Sequence, residues 1–191
     1  MNRMPASARV KMRQSWEQGV PPAARLGLGA VSLGYLGLLG LRNLLYGAGL
    51  FKSRRLPCPV ISVGNLTLGG TGKTPAVELA VQTLQEAGIE PGILSRGYGR
   101  RGSGTQVVSD RGSLRLDPRS SGDEPFLLAR RLPGVPVVVG ENRFRAGRLC
   151  LEQFRVQALV LDDAFQHRTL RKDLEVVLLN GRAPWGNGHL F

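Results

Sequence analysis

The fold of this chain is decided by residues 59–75, PVISVGNLTLGGTGKTP, in which an apolar run leads into a glycine-rich turn. Residues 60–63 are mostly β-branched, which predicts a short buried strand. Apolar residues then recur at helical spacing from Val77 to Leu84, so a helix is predicted from Pro75 to about Ala87. Strand, glycine-rich loop and helix, in this order, are the context that a phosphate-binding loop requires.

The chemistry of this loop suits the phosphates of a nucleotide. Glycines let backbone N–H groups converge on phosphate oxygens, and the helix N-terminus adds unpaired N–H groups and a positive dipole end. Lys73 supplies a full charge, and the Thr74 hydroxyl can ligate Mg²⁺. The alternative is an ordinary glycine-rich turn, since a threonine stands where the usual pattern has its first glycine. The predicted nucleotide-binding residues are Thr67, Leu68, Gly69, Gly70, Thr71, Gly72, Lys73 and Thr74.

Composition limits the class of protein without choosing a ligand. The 191 residues suffice for one sizeable α/β domain. Lys and Arg number 26 against 14 acids, a net charge of +12. This excess fits nucleic acid, an anionic membrane surface or a phosphorylated substrate. Cys58 and Cys150 have no partner motif, which predicts a reduced, cytosolic compartment without structural zinc.

Residues 1–55 are predicted to form a basic tail and a membrane-associated helix. Residues 26–41 carry no charge, but a helix of that length spans about 24 Å, short of the roughly 30 Å hydrocarbon core. Both flanks are basic, so the charges give no direction of crossing. We expect an interfacial or partly inserted anchor. The alternatives are a soluble core helix, which five glycines in this run disfavour, and a cleaved signal peptide.

The remaining chain, residues 56–191, predicts an α/β domain with a mostly parallel sheet flanked by helices. Apolar and β-branched runs predict further strands at 91–94, 105–109, 135–139, 156–163 and 174–179, and a basic helix at 144–154. The segment 95–104, SRGYGRRGSG, is a basic loop with one aromatic residue. It is either a solvated loop or a surface that stacks on a base and contacts phosphates.

Two acidic segments carry groups suited to phosphoryl transfer. In Gly-Asp-Glu-Pro at 122–125, acids next to a proline are ordinary at a helix N-terminus, but Asp123 is also a candidate general base. The run from Val156 ends in Asp162 and Asp163, and carboxylates at a strand end can hold Mg²⁺ directly or through water. His167 follows in the same loop, as a structural or a catalytic histidine.

Together these motifs resemble tetraacyldisaccharide 4'-kinase, the lipid A pathway kinase of Gram-negative bacteria. The resemblance covers residues 15–191, and Thr67 in place of the first glycine is the family's form of the loop. The motifs are VGNLTLGGTGKTP at 63–75, SRGYGR at 95–100, GDEP at 122–125, Asn142-Arg143, and LDDAFQHR at 161–168.

The resemblance implies a P-loop kinase fold and transfer of the ATP γ-phosphate to the 4'-hydroxyl of a tetraacyldisaccharide 1-phosphate, with ATP and Mg²⁺ as cofactors. It implies Asp123 as the base, with Lys73 and His167 as further catalytic groups. The metal side would be Thr74, Asp162 and Asp163, with Gln166 nearby. The acceptor side would be Arg96, Tyr98, Arg100, Asn142 and Arg143.

The implied partners are the lipid disaccharide and the cytoplasmic face of the inner membrane, with no nucleic acid and no obligate protein partner. Family members continue beyond Asn187-Gly188 into a smaller lobe that supplies a histidine to the catalytic aspartate, so this chain is expected to be incomplete and nearly inactive alone. Two rival hypotheses are a membrane-associated P-loop ATPase or GTPase switch without a lipid acceptor, and a nucleic-acid-binding module that uses the arginines.

Overall fold

The computed structural model describes residues 22–50, 53–65, 72–165 and 167–181, with the backbone alone for 22–32. The chain divides into two compact units, Met1–Phe51 with Trp185–Phe191, and Lys52–Pro184. The predicted functional limits, 1–55 and 56–191, stay predictions, because compactness assigns no role to either unit.

The described part of the first unit is a single long helix, α1 (Pro22–Gly47), followed by a turn. It ends in a Schellman motif, in which Gly49 adopts φ 73°, its N–H donates to the Tyr46 carbonyl, and the Leu50 N–H donates to that of Leu45. Its 26 residues exceed the uncharged run, because Arg42 does not stop it and apolar residues resume afterwards. None of the described helices is both long and apolar enough to cross a membrane.

The second unit alternates strands and helices. Its strands are β1 (Val60–Asn65), β2 (Pro91–Ser95), β3 (Gln106–Ser109), β4 (Val137–Val139), β5 (Ala158–Asp162) and β6 (Leu174–Leu178). Its helices are α2 (Lys73–Glu86), α3 (Pro118–Ser121), α4 (Asp123–Arg131) and α5 (Arg143–Phe154). The predicted strands and helices are therefore confirmed, with ends that shift by a few residues, and α4 begins at Asp123, before the proline.

The six strands form one sheet in the order β3-β4-β2-β5-β1-β6. All neighbours are parallel except β3, which runs antiparallel to β4 at one edge. Parallel strands joined through helices bury both faces of a sheet, which explains why these strands are nearly continuous apolar runs. The predicted α/β class with a mostly parallel sheet is confirmed.

The core has two layers, one on each face of the sheet. On one face, α2 and α4 pack against Val63, Ile93 and Val160, all of them fully buried. On the other face, α5 packs against strand residues such as Leu94 and Leu161. Both cysteines are free thiols. Cys150 lies in the second layer, where burial raises the pKa of its thiol to about 12, so this cysteine is chemically quiet.

Candidate functional site

The candidate site lies at the edge of the sheet where the parallel strands end. β1 ends at Asn65, β2 at Ser95, and β5 at Asp162. β5 lies between β1 and β2, with Val63 opposite Asp162 and Leu94 opposite Leu161. In open α/β sheets the carboxyl ends of the strands and the helix N-termini meet at this edge, which is where such folds bind ligands.

Among the described residues, no side chain caps the N-terminus of α2. Gly72 precedes the helix with φ 79°, in the left-handed region that glycine tolerates, and it provides no side-chain cap. Pro75 has no N–H, and the Ala76 N–H bonds back to the Gly72 carbonyl. The N–H groups of Lys73 and Thr74 therefore have no intrahelical partner and can bind a ligand. Residues 66–71, which include the predicted Thr67, Leu68, Gly69, Gly70 and Thr71, lie outside the described residues.

Lys73, the first residue of α2, joins two strand ends. Its ammonium donates to the Asn65 side-chain oxygen at 3.3 Å and pairs with the Asp163 carboxylate at 3.5 Å. Asp163 adopts φ 53°, and its N–H donates to the Val63 carbonyl at 3.0 Å. Lys73 and Asp163, predicted from motifs 90 residues apart, thus meet beside the helix N-terminus.

Asp162 is the buried acid of the site, with 2% of its surface exposed. The Ser95 hydroxyl donates to its carboxylate at 3.0 Å. Burial first, and then the nearby negative charge of Glu124, raise the pKa of Asp162 to about 6, against the lowering effect of the Ser95 hydrogen bond. The described residues therefore compensate the negative charge of this carboxylate poorly. A bound cation would stabilise its charged form.

We expect Asp162→Asn to stabilise the chain at neutral pH when Mg²⁺ and nucleotide are absent. A carboxyl whose folded pKa is raised stabilises the fold while it is protonated, and this contribution disappears as pH rises from about 4 to about 6. The amide still accepts from Ser95 and has no such loss. The unfolding free energy of the variant minus that of the wild type should therefore be about 2–3 kcal/mol larger at pH 7.5 than at pH 4. Urea denaturation of both proteins in the presence of a chelator measures this difference. The same difference between variant and wild type at both pH values would contradict the expectation.

Arg143 lies close enough to both acids to feel their charges, and His167 lies near Arg143. Arg143, the first residue of α5, is buried and donates to the Gly140 carbonyl at 2.6 Å. Burial, and then the charge of Arg96, lower the pKa of its guanidinium to about 10, so it remains charged at neutral pH. Burial, and then the charge of Arg143, lower the pKa of His167 to about 4, so its imidazole is neutral. The His167 Nε2 atom shares a 2.7 Å hydrogen bond with the Thr169 hydroxyl.

The basic loop after β2 is held against the acidic motif that starts α4. Gly97, at φ 69°, and Gly122, at φ 94°, lie in backbone contact, so that a Cβ on Gly122 would lie 3.2 Å from the Gly97 Cα atom. Both need glycine for this approach and for their backbone angles. The motifs at 95–100 and 122–125 therefore form one surface, on which Tyr98 is 86% exposed and Arg96 is exposed.

Of three further residues predicted for the site, two make side-chain bonds within the described part of the chain and one does not. Arg100 has only 2% of its side chain exposed, because its guanidinium pairs with Glu141 at 2.7 Å and donates to the Gln106 side chain. Asn142 caps α5 by accepting from the Arg145 N–H at 3.1 Å. Asp123 is exposed at the first turn of α4, and no described residue bonds its carboxylate. Gln166 lies outside the described residues, and the roles predicted for all of these residues stay predictions.

The donor set at this edge fits a hard cation such as Mg²⁺. Asp162, Asp163 and Thr74 offer carboxylate and hydroxyl oxygens, the ligands that Mg²⁺ prefers. Within the described ranges, no cluster of three or more His, Cys, Asp or Glu side chains could hold a metal by itself. In many proteins Mg²⁺ is bound through one or two carboxylates together with substrate phosphates rather than in an all-protein cage.

Comparison with known proteins decides the family. A family model described as Tetraacyldisaccharide-1-P 4'-kinase matches residues 24–191. The chain belongs to this kinase family. It is 47% identical over 190 residues to tetraacyldisaccharide 4'-kinase of Syntrophus aciditrophicus, covering 97% of this chain and 51% of that protein. It is 49% identical over 150 residues to the Chlorobaculum tepidum protein of the same name, covering 77% of this chain and 43% of the relative.

The fold agrees with a solved member of the family. The crystal structure of LpxK from Aquifex aeolicus in complex with ATP matches with a TM-score of 0.77 and 43% identity, covering 83% of this chain and 50% of that one. The resemblance drawn from the motifs is thus confirmed. The chain spans about half the length of the curated relatives that it matches.

The kinase-family motifs do not by themselves indicate what Ser95, Glu124 and Lys172 do. The sequence does indicate a role for Ser95, since it is a polar residue at the carboxyl end of an apolar strand and can contact another strand end there. Glu124 stands beside the candidate base, but only the packing of α4 brings its charge near Asp162. Lys172 lies in a basic stretch, and nothing in its sequence context indicates that its ammonium bonds two carbonyls of the loop after β5.

Proposed function

We propose that the protein of which this chain is part transfers the γ-phosphate of ATP to the 4'-hydroxyl of a tetraacyldisaccharide 1-phosphate in lipid A biosynthesis. The observation that carries the proposal is the meeting of Lys73 with Asp163 beside the open N-terminus of α2, in a member of this kinase family. One cation, two carboxylates and free backbone N–H groups together match the requirements of a triphosphate with its metal.

In this proposal the connection from Asn65 to α2 is a phosphate-binding loop. The free N–H groups of Lys73 and Thr74 hold phosphate oxygens with the helix dipole behind them. The Lys73 ammonium, poised between Asn65 and Asp163, moves toward the β- and γ-phosphates. ATP is present in the related Aquifex aeolicus structure, which supports the choice of nucleotide.

Thr74, Asp162 and Asp163 would hold Mg²⁺. When bound, Mg²⁺ neutralises charge on the phosphates and orients them. The chain's own contribution is to keep the acids in place: Ser95 fixes one carboxylate of Asp162, and the backbone bond to Val63 fixes Asp163. The high pKa of Asp162 makes metal binding stronger as pH rises through about 6, because the ligand must be deprotonated.

The acceptor side is the surface formed by the loop after β2 and the start of α4. Asp123 is exposed there and no described residue bonds its carboxylate, so the carboxylate can reach a sugar hydroxyl and take its proton. Arg96 and the exposed ring of Tyr98 lie on the neighbouring loop, where they would contact the acceptor. Arg100 and Asn142 shape this surface through their internal bonds.

The direct test is label transfer from γ-labelled ATP to a tetraacyldisaccharide 1-phosphate, using a version that spans the full length of the relatives. We expect label at the 4' position and none without the lipid. Release of labelled phosphate at the same rate with or without the lipid would instead favour a nucleotide hydrolase that uses no acceptor.

The location that fits this substrate is the cytoplasmic face of the inner membrane, and α1 supports it. Leu33, Leu38 and Leu44 are each about two-thirds exposed or more along this helix. An apolar helix with basic flanks favours binding in the interface of an anionic membrane.

We expect deletion of residues 1–45 to move the protein from the membrane fraction to the soluble fraction. The deletion removes the uncharged run 26–41 and the basic tail, so both sources of membrane affinity are lost. Sedimentation with anionic vesicles measures the effect. A matched variant, Leu38→Lys with Leu44→Lys, keeps the helix length and should also release the protein. Vesicle binding that survives the deletion would place the anchor on another surface.

A further inference from the structure

The turn that follows β5 holds an unfavourable backbone angle next to the site. Asp163 is one of two described non-glycine residues with positive φ, at 53°. A left-handed backbone is unfavourable for most residues other than glycine, although aspartate tolerates it better than most, and contacts with the surroundings help to hold it. The turn also packs closely on β1, since a Cβ on Gly64 would lie 2.9 Å from the Phe165 Cβ atom. Contacts to residues 163–165 therefore help to hold this turn in place.

Lys172 supplies that contact from the far end of the same loop. Its ammonium donates to the carbonyls of Ala164, at 3.2 Å, and Phe165, at 3.0 Å. It also pairs with Glu175 in β6 and lies 5.9 Å from the centre of the Phe165 ring. Only 8% of the Lys172 side chain is exposed. Hydrogen bonds from a charged donor are roughly twice as strong as neutral ones, so Lys172 restrains the carbonyl groups of the two residues that follow Asp163.

We propose that Lys172 is a positioning residue that holds the Asp163 carboxylate beside Lys73 and the open N-terminus of α2. The chain of contacts is continuous: Lys172 bonds the carbonyls of Ala164 and Phe165, the next residue back is Asp163, and Asp163 pairs with Lys73. Lys172 touches neither phosphate nor metal in this scheme. The effect on nucleotide rests on the proposed function, whereas the restraint of the turn does not.

The test combines nucleotide affinity with hydrogen exchange on this chain. Calorimetry with Mg·ATP is expected to show about tenfold or more weaker binding for Lys172→Met, the usual effect of removing a group that orients a ligand of the site. Lys172→Arg keeps charged donors and should recover part of the affinity. Glu175→Gln removes the ion pair but leaves both carbonyl bonds, and it should bind nearly as well as the wild type.

Amide exchange tests the same restraint without nucleotide. The Asp163 N–H, which bonds to the Val63 carbonyl, is expected to exchange faster in Lys172→Met, while amides of β2 stay unchanged as a control for folding. Unchanged affinity together with unchanged exchange at Asp163 would overturn the proposal, and so would an equal loss in Glu175→Gln. If the wild-type chain binds no Mg·ATP but exchange at Asp163 still accelerates in Lys172→Met, nucleotide binding by this chain fails and the positioning role stands.

Discussion

Substitution of Lys73 by alanine is expected to weaken Mg·ATP binding by about 30-fold or more while the chain stays folded. The ammonium lies between Asn65 and Asp163, and 18% of its side chain is exposed, so it meets a ligand in partly desolvated surroundings. Charged hydrogen bonds lost from such a place weaken binding by about 2–5 kcal/mol. The fold should survive, because Asp163 has 54% of its side chain exposed and is resolvated when its partner is removed.

The control for Lys73→Ala must separate a specific site from the general attraction of ATP to a chain with net charge +12. Arg111→Ala serves, because Arg111 pairs with Glu90, which precedes β2 and lies at the opposite edge of the sheet. It removes one positive charge at a distance from the site and should leave the affinity within about twofold, since screened surface charges interact weakly. Calorimetry at two salt concentrations measures both variants. Equal losses in the two would contradict the phosphate-binding loop.

The elements of this fold are predictable because its strands are buried on both faces. A buried parallel strand is a short continuous apolar run, and β1, β2 and β5 each follow this pattern with turn residues at their ends. The stop of α2 is equally local, since Gly88 at φ 74° closes a Schellman motif with the Ile89 N–H. The carboxyl-edge rule then places Lys73 and the two aspartates near one another without any knowledge of strand order.

The partners of side chains are not predictable in the same way. Arg100 looks like a free basic residue in its loop, yet it pairs with Glu141, 41 positions later. The contact of Gly97 with Gly122 and the bonds of Lys172 to the turn after β5 likewise depend on how separate segments pack. The helix α1 is longer than the uncharged run 26–41 for a local reason, because one arginine within an apolar run does not end a helix.

The last expected result concerns proton transfer, in a version of the protein with the full length of its relatives. Asp123→Asn should lower kcat by roughly 10²–10⁴, the usual contribution of a positioned general base, with little change in the KM for ATP. Asparagine keeps the shape of the side chain but cannot take a proton. Because Asp123 bonds no described backbone N–H and the N-cap is Gly122, the substitution removes only a favourable charge at the helix start. That charge contributes about 0.3–1 kcal/mol, so the melting temperature should fall by only a few degrees.

Two matched variants distinguish a base from a source of negative field in the Asp123→Asn experiment. Glu124→Gln removes an equal charge from the same helical turn, and if Asp123 is the base its rate should fall far less than that of Asp123→Asn. Asp123→Glu restores a proton acceptor one methylene farther out and should recover part of the rate, since proton transfer requires hydrogen-bond reach. The assay is label transfer from ATP to the lipid disaccharide, with product release checked by single-turnover measurement. A near-normal rate for Asp123→Asn would remove Asp123 from the mechanism, and equal losses in Asp123→Asn and Glu124→Gln would reduce its role to electrostatics.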